Sequence, residues 1–194
     1  QVTLDGEQII YEQFCYYMLN KPAGVVSATT DREHKTVIDL LQEANTQDVF
    51  PVGRLDIDTE GLLLLTNDGA LAHELLSPRK HVDKTYFVRI AGNLSDADVK
   101  QLEQGMDIGD EKLTLPAKVS CLEQFPEEQE QTVMIKLREG RYHQVKRMFE
   151  AVGTEVTYLK RLSMGPLALD AELKPGEYRR LTEEEINLLK EATA

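Results

Sequence analysis

Apolar residues in this chain fall into short runs separated by polar turns, and no long amphipathic stretch dominates. Phe50–Val52 and Leu62–Leu65 have strand length and lack the spread of an independent helix. Lys84–Ile90 alternates, with Tyr86, Val88 and Ile90 on one face and Thr85, Phe87 and Arg89 on the other. Cys15–Val26 starts as an apolar strand and breaks at Lys21-Pro22-Ala23-Gly24, which puts Asn20 and Lys21 on a loop at a strand end. Leu113–Leu122, Thr132–Leu137, Glu155–Leu162 and Pro166–Leu169 read as further strands. Gln1–Phe14 reads as two short strands about an Asp5-Gly6 turn.

Helical signals lie between them. Thr36–Ala44 is a short amphipathic segment with Thr36 as a candidate N-cap. Asp68 is placed to cap a helix from Ala70 to Leu76, before Pro78. Ser95 and Asp98 have capping-box spacing at the start of a helix that stops at Gly105. Arg141–Val152 predicts a helix burying Val145, Met148, Phe149 and Val152, and Leu181–Ala192 a closing helix capped by Thr182 with Glu185. Strands and helices interleave without a regular βαβ period. The fold class this implies is α+β: a mixed, mainly antiparallel sheet of two lobes, divided between Val82 and Gly92 and surrounded by helices.

Composition adds limits. The chain has 194 residues, 41% hydrophobic and 29% charged, which is a globular balance. No apolar run approaches the roughly 18 residues of a membrane span. The two cysteines, Cys15 and Cys121, have no motif spacing and read as reduced thiols. The net charge of −12 argues at first against nucleic acid, but the charge is uneven. Lys136–Arg161 holds seven Lys and Arg against three acids, whereas Ser95–Glu130 holds three lysines against ten acids. An acidic chain of this kind can still carry one basic face.

Candidate chemistry concentrates between Phe50 and Gly69, where Arg54, Asp56, Asp58 and Glu60 crowd between two apolar runs. Asp56, Asp58 and Gly61 resemble the start of a calcium loop, but Asn67 stands where its bidentate glutamate belongs. The four histidines lack zinc spacing, and there is no phosphate loop, dinucleotide fingerprint or serine elbow. No metal or cofactor is therefore implied. What remains is a carboxylate: Asp56 can serve as a nucleophile toward an anomeric carbon, with Arg54 on the same strand face, or Lys146, as a neighbouring cation. Pattern alone reads Asp56 equally as a turn or capping aspartate. It reads Arg141, His143, Lys146 and Arg147 either as a solvated helix face or as a phosphate-binding patch, with His143 and Gln144 adding hydrogen bonds. Tyr86 taken alone is a half-buried strand tyrosine.

Four ordered motifs narrow these alternatives. Asn20-Lys21-Pro22-Ala23-Gly24; Gly53-Arg54-Leu55-Asp56 with Thr59, Gly61-Leu62-Leu63 and Thr66-Asn67-Asp68-Gly69; Lys84-Thr85-Tyr86; and Gly140–Met148 together resemble the pseudouridine synthases of the RsuA/RluB/RluE/RluF group, which isomerise uridine in ribosomal RNA. The resemblance runs from about Tyr16 to Ile186. The wording of Ser77–Tyr86, Glu139–Gly153 and Leu173–Ile186 is most similar to the branch acting on small-subunit (16S) RNA, with the large-subunit (23S) branch as the nearest alternative.

The resemblance implies a catalytic domain over residues 15–194, with residues 1–14 the exit linker of an S4-like RNA-binding domain. It implies Asp56 as the essential aspartate, Tyr86 packing on the uracil, and Lys146 as the basic partner that keeps Asp56 ionised. Arg54 is expected in the gap left by the displaced nucleotide. Asn20, Lys21, Arg141, His143, Gln144 and Arg147 are expected at the RNA, along a positive strip that includes Arg79–Lys84 and Lys160–Arg161, with the acidic segments facing away. The implied protein is a cytoplasmic, monomeric isomerase of ribosomal RNA or of a ribosomal assembly intermediate, without cofactor, metal or membrane partner. A carboxylate glycosidase and a non-enzymatic RNA-binding assembly module are the rival readings.

Overall fold

The computed structural model describes residues 2–4, 7–9, 14–43, 46 and 48–194. β1 (Val2–Leu4) and β2 (Glu7–Ile9) pair antiparallel on their own, and the Asp5-Gly6 turn between them lies outside the described residues. The remaining strands form one nine-stranded sheet. These are β3 (Tyr16–Lys21), β4 (Phe50–Pro51), β5 (Glu60–Thr66), β6 (Lys84–Ala91), β7 (Lys118–Phe125), β8 (Glu130–Leu137), β9 (Glu155–Met164), β10 (Leu167–Ala168) and β11 (Tyr178–Arg180). The main path runs β11-β3-β5-β9-β6-β8-β7, with β4 on β5 and β10 on β9. Every pairing is antiparallel except β5 with β9.

Side-chain alternation explains how this sheet is covered. On β3 and β5, Tyr17, Leu19, Leu63 and Leu65 enter one core, and Tyr16, Met18, Leu62 and Leu64 enter another. The uninterrupted leucines of β5 are thus buried on both faces, which is why they show no polar alternation. Helices α1 (Gly69–Leu76) and α4 (Glu183–Ala192) cover the second face; α2 (Asp96–Gln104) and α3 (Gln144–Ala151) cover the first. Burial of aliphatic side chains on both faces supplies roughly 1.5–3 kcal/mol each. The predicted caps are present: Asp68 accepts from the Leu71 amide, and Ser95/Asp98 and Thr182/Glu185 form reciprocal boxes.

The sheet has two halves. They are joined by only two parallel residue pairs, Glu60 with Lys160 and Gly61 with Arg161. At this seam a side chain on Gly61 would meet the Arg161 backbone at 2.2 Å, and Gly61 has φ +107°, so only glycine lets the strands meet. The chain crosses between halves after α1 and enters β6, within the boundary expected between Val82 and Gly92.

Four local expectations are corrected. Thr36–Ala44 is not a helix: Thr36 and Asp39 cap a single 3₁₀ turn at Ile38–Leu40, and Leu41 is extended, leaving the Gln42 amide bonded to the Tyr178 hydroxyl. Residues 44, 45 and 47 lie outside the described set. Leu113–Ala117 is irregular and β7 begins at Lys118, because the carbonyls of Lys112 and Leu113 accept from the Arg141 guanidinium rather than from a neighbouring strand. Helix α3 begins at Gln144, not Arg141, with His143 left-handed at φ +48° as its N-cap. Asn20 and Lys21 lie inside β3 and are almost completely buried.

Candidate active site

β5 offers one edge to two partners in turn, β9 at residues 60–61 and β4 at residues 65–66. The loop joining β4 to β5, residues 52–59, leaves the sheet at that gap and carries Asp56. Three brackets hold it. The Ser27 hydroxyl donates to the Leu55 carbonyl at 2.9 Å and accepts from the Leu55 amide at 3.1 Å. The Gly24 amide donates to the Ile57 carbonyl. The Lys21 ammonium donates to the carbonyls of Pro22, Ile57 and Thr59 at 3.0, 3.2 and 2.7 Å. Burial draws the pKa of Lys21 down to about 8, against the opposing pull of Asp58, Glu60 and Asp56. The sequence placed Asn20 and Lys21 at the RNA. Instead Lys21 lies under the loop, Asn20 donates to the Leu173 carbonyl, and neither has surface to offer.

Asp56 faces nitrogen on both sides. His143 Nε2 lies 3.1 Å from Oδ1, and Lys146 Nζ lies 3.4 Å from Oδ2. The left-handed backbone of His143, a conformation that histidine visits more readily than most residues, turns its ring into this position one residue before α3. Lys146 also pairs with Asp58 Oδ1 at 2.7 Å. Burial opposes its charge, but the hydrogen bond it donates to Asp58 and the charges of Asp56 and Asp58 outweigh burial and hold its pKa above the ordinary lysine range. The same hydrogen bond depresses the Asp58 carboxyl. Asp58 therefore belongs to the site rather than to a passive loop. Glu60 begins β5 and accepts the Tyr158 hydroxyl at 2.6 Å. Arg54 is exposed and makes no hydrogen bond or ion pair with the described residues, so the cation beside Asp56 is Lys146 of α3 and not Arg54.

Behind Asp56 is a cavity of about 150 Å³ lined by Asp56, Thr59, Lys84, Tyr86, Lys146 and Arg161, among others. A cavity of that size holds a benzene-sized ring. Tyr86 is buried on β6 directly opposite Arg161 of β9, next to a bulge that shifts the register after Thr85. Bulges re-aim side chains beside functional sites. Asp56, Tyr86 and Lys146 thus converge from a loop, a strand and a helix.

The remaining expected RNA contacts divide. His143 faces Asp56. Gln144 is buried and closes the start of α3, accepting from the Arg141 amide and donating to Glu139. Arg141 spends its guanidinium on Glu139, Asp110 and the carbonyls of Lys112 and Leu113. Arg147 binds Asp110 through two nitrogens, and the carbonyls of Tyr142 and Ile108. Asp110 comes from the acidic segment expected to face away; that segment instead packs on the basic patch, because two guanidinium groups neutralise it. Two features escaped the sequence reading. Tyr142 is 77% exposed and stacks on His143 with ring centroids 3.8 Å apart, at the mouth of the cavity. Arg161, expected on the surface strip, is buried in the cavity floor. The alternation of β6 did carry a signal for Lys84, which shares a face with Tyr86.

A loop carboxylate flanked by a lysine and a histidine thus stands at a ring-sized cavity with a tyrosine wall. The chain belongs to the RNA pseudouridylate synthase family, whose model matches residues 15–151. It is an isomerase acting on RNA. It is 52% identical over 195 residues to the uncharacterized RNA pseudouridine synthase YtzG of Bacillus subtilis (strain 168), covering 100% of this chain and 81% of that protein. It is 48% identical over 172 residues to ribosomal small subunit pseudouridine synthase A of Escherichia coli (strain K12), covering 88% and 72%. A crystal structure of a pseudouridylate synthase superposes with a TM-score of 0.82 at 38% identity, over 93% of this chain and 75% of that one. The mixed, mainly antiparallel α+β fold agrees with the expectation from sequence.

Proposed function

We propose that this protein converts a uridine of small-subunit ribosomal RNA to pseudouridine in the cytoplasm, with Asp56 as the reacting carboxylate. The observation that carries this reading is the placement of Asp56 between His143 and Lys146 at the rim of the cavity that Tyr86 walls. The relatives of known substrate are named for the small ribosomal subunit. No described helix is long and apolar enough to cross a membrane.

A loop carboxylate at a cavity mouth cannot reach the sugar of a stacked nucleotide, so the target base leaves its stack and enters the cavity. Asp56 then attacks C1′ or removes the C2′ proton. In either case the C1′–N1 bond breaks and its electron pair stays on uracil. The ring turns, and C5 bonds to C1′ as the Asp56–C1′ bond breaks or, on the other route, as C2′ regains its proton; the C5 proton is then released beside Tyr86 and N1 is protonated. Lys146 supplies a fixed positive charge at the carboxylate. Exposed Arg54 and the Tyr142 ring stand at the entrance, where an unstacked strand can lie.

The test is to map pseudouridine in ribosomal RNA from cells lacking the protein and from cells complemented with the native chain or with Asp56→Asn. One small-subunit position should lose the modification and regain it only with the native chain. Unchanged small-subunit RNA, or loss at a large-subunit position, overturns the substrate assignment.

A further inference from the structure

Among the described residues three buried side-chain atoms have no hydrogen-bond partner: Asn20 Oδ1, Thr59 Oγ1 and Arg161 Nη2. Thr59 and Arg161 both line the cavity behind Asp56. Arg161 is only 3% exposed, its Nε donates to the Leu62 carbonyl at 2.8 Å, and no carboxylate pairs with it. Lys84 lines the same cavity from the Tyr86 face of β6, and its side chain likewise makes no hydrogen bond or ion pair among the described residues. Burial, and then the charge of Arg161, lower its pKa. Asp83 and Glu139 pull the Lys84 pKa the other way without pairing with it, and two neighbouring cations that no carboxylate contacts directly are unfavourable in a cavity floor. A buried guanidinium that keeps one nitrogen unpaired is suited to receive a group that the protein does not supply.

We propose that Arg161 and Lys84 form a cationic floor that stabilises the detached uracil as an anion, with the Thr59 hydroxyl as an additional donor. The inference rests on the reading of the site given above and assigns residues to its central intermediate. When the C1′–N1 bond breaks, the electron pair passes to N1 and spreads onto O2 and O4. The ring carries this negative charge whether Asp56 becomes bonded to C1′ or takes the C2′ proton. The charge is discharged when C5 bonds to C1′, with release of the Asp56 carboxylate or return of the proton to C2′; the C5 proton then leaves and N1 is protonated. Donors fixed where charge develops act on the rate rather than on substrate affinity. The seam glycine serves this arrangement: by letting β9 meet β5 at Gly61, it brings Arg161 within reach of the Leu62 carbonyl that holds it.

The test is single-turnover conversion of small-subunit ribosomal RNA by the native chain, Arg161→Met and Lys84→Met, read by digestion and chromatography of the nucleosides. It is run beside RNA affinity as a function of salt and a thermal melt. Arg161→Met should slow conversion about 100-fold and Lys84→Met about 10-fold, with affinity and salt slope unchanged. Because the Lys84 side chain makes no hydrogen bond among the described residues, Lys84→Met keeps the test open if Arg161→Met fails to fold. With 5-fluorouridine at the target, fluorine stabilises the same anion, so the deficit in loss of the N-glycoside should shrink at least 5-fold. Equal slowing on both substrates makes the residues structural and overturns the proposal. So does weakened binding with a salt slope reduced by about one and an unchanged rate, which marks a phosphate contact. If the native chain converts uridine and both variants match it, this proposal alone falls; if the native chain converts none, the proposed function falls with it.

Discussion

Helix α3 and its entry turn carry basic residues on two sides, and the two sides meet different partners. Lys146 and His143 face Asp56 at the cavity. Arg141 and Arg147 face the segment Ile108–Leu113 and are taken up by Asp110 and backbone carbonyls. In the sequence all four belong to one positive strip. The difference lies in what packs beside each: a loop with two carboxylates and an open cavity on one side, an acidic surface segment on the other. Basic residues close together in sequence are therefore not a measure of RNA contact. One side lines the cavity beside Asp56, and the other fastens the segment after α2 to the same helix.

The comparison can be broken most sharply at Asp56. Asp56→Asn should abolish isomerisation, by about 10⁴-fold or more, while RNA affinity changes less than about 3-fold; measurable turnover at near-native rate sinks the assignment of Asp56. On the same side, Lys146→Ala should reduce turnover about 10²–10³-fold with little change in affinity. If affinity falls and turnover per bound RNA does not, Lys146 is a phosphate contact.

On the opposite side the expectation reverses. Arg147→Ala should lower the midpoint of urea unfolding, because the carbonyls of Ile108 and Tyr142 lose their donor. It should leave the salt dependence of RNA binding unchanged. A salt slope reduced by about one would restore Arg147 to the interface and erase the contrast between the two sides.

The smallest effect concerns the loop bracket. The pKa of Lys21 in the folded protein is about 8, below its unfolded value, so the unfolded chain binds more protons between the two. Stability should rise as pH climbs from about 8 toward the ordinary lysine range, with a slope of up to about 1.4 kcal/mol per pH unit from this group. Below pH 8 the contribution is flat. Urea unfolding of the native chain and Lys21→Met across pH 7.5–10 measures the difference, and identical slopes remove Lys21 as its source.

Much of this protein was legible in order along the chain. Leucines 62–65 read as a strand, the alternation of Lys84–Ile90 put Tyr86, Val88 and Ile90 on one face, and three helices began at caps that the sequence marked. Such features depend on neighbours within a few residues, so local sterics and hydrogen bonding suffice to decide them. The tertiary structure alone decided what each charged side chain meets. Asp58 joins Lys146 across 88 positions and Arg161 reaches the Leu62 carbonyl across 99. Lys21 turns from a presumed RNA contact into a support beneath the Asp56 loop. A charge takes its role from the partner that compensates it and from its distance to water, and both are fixed by long-range packing that no local pattern encodes.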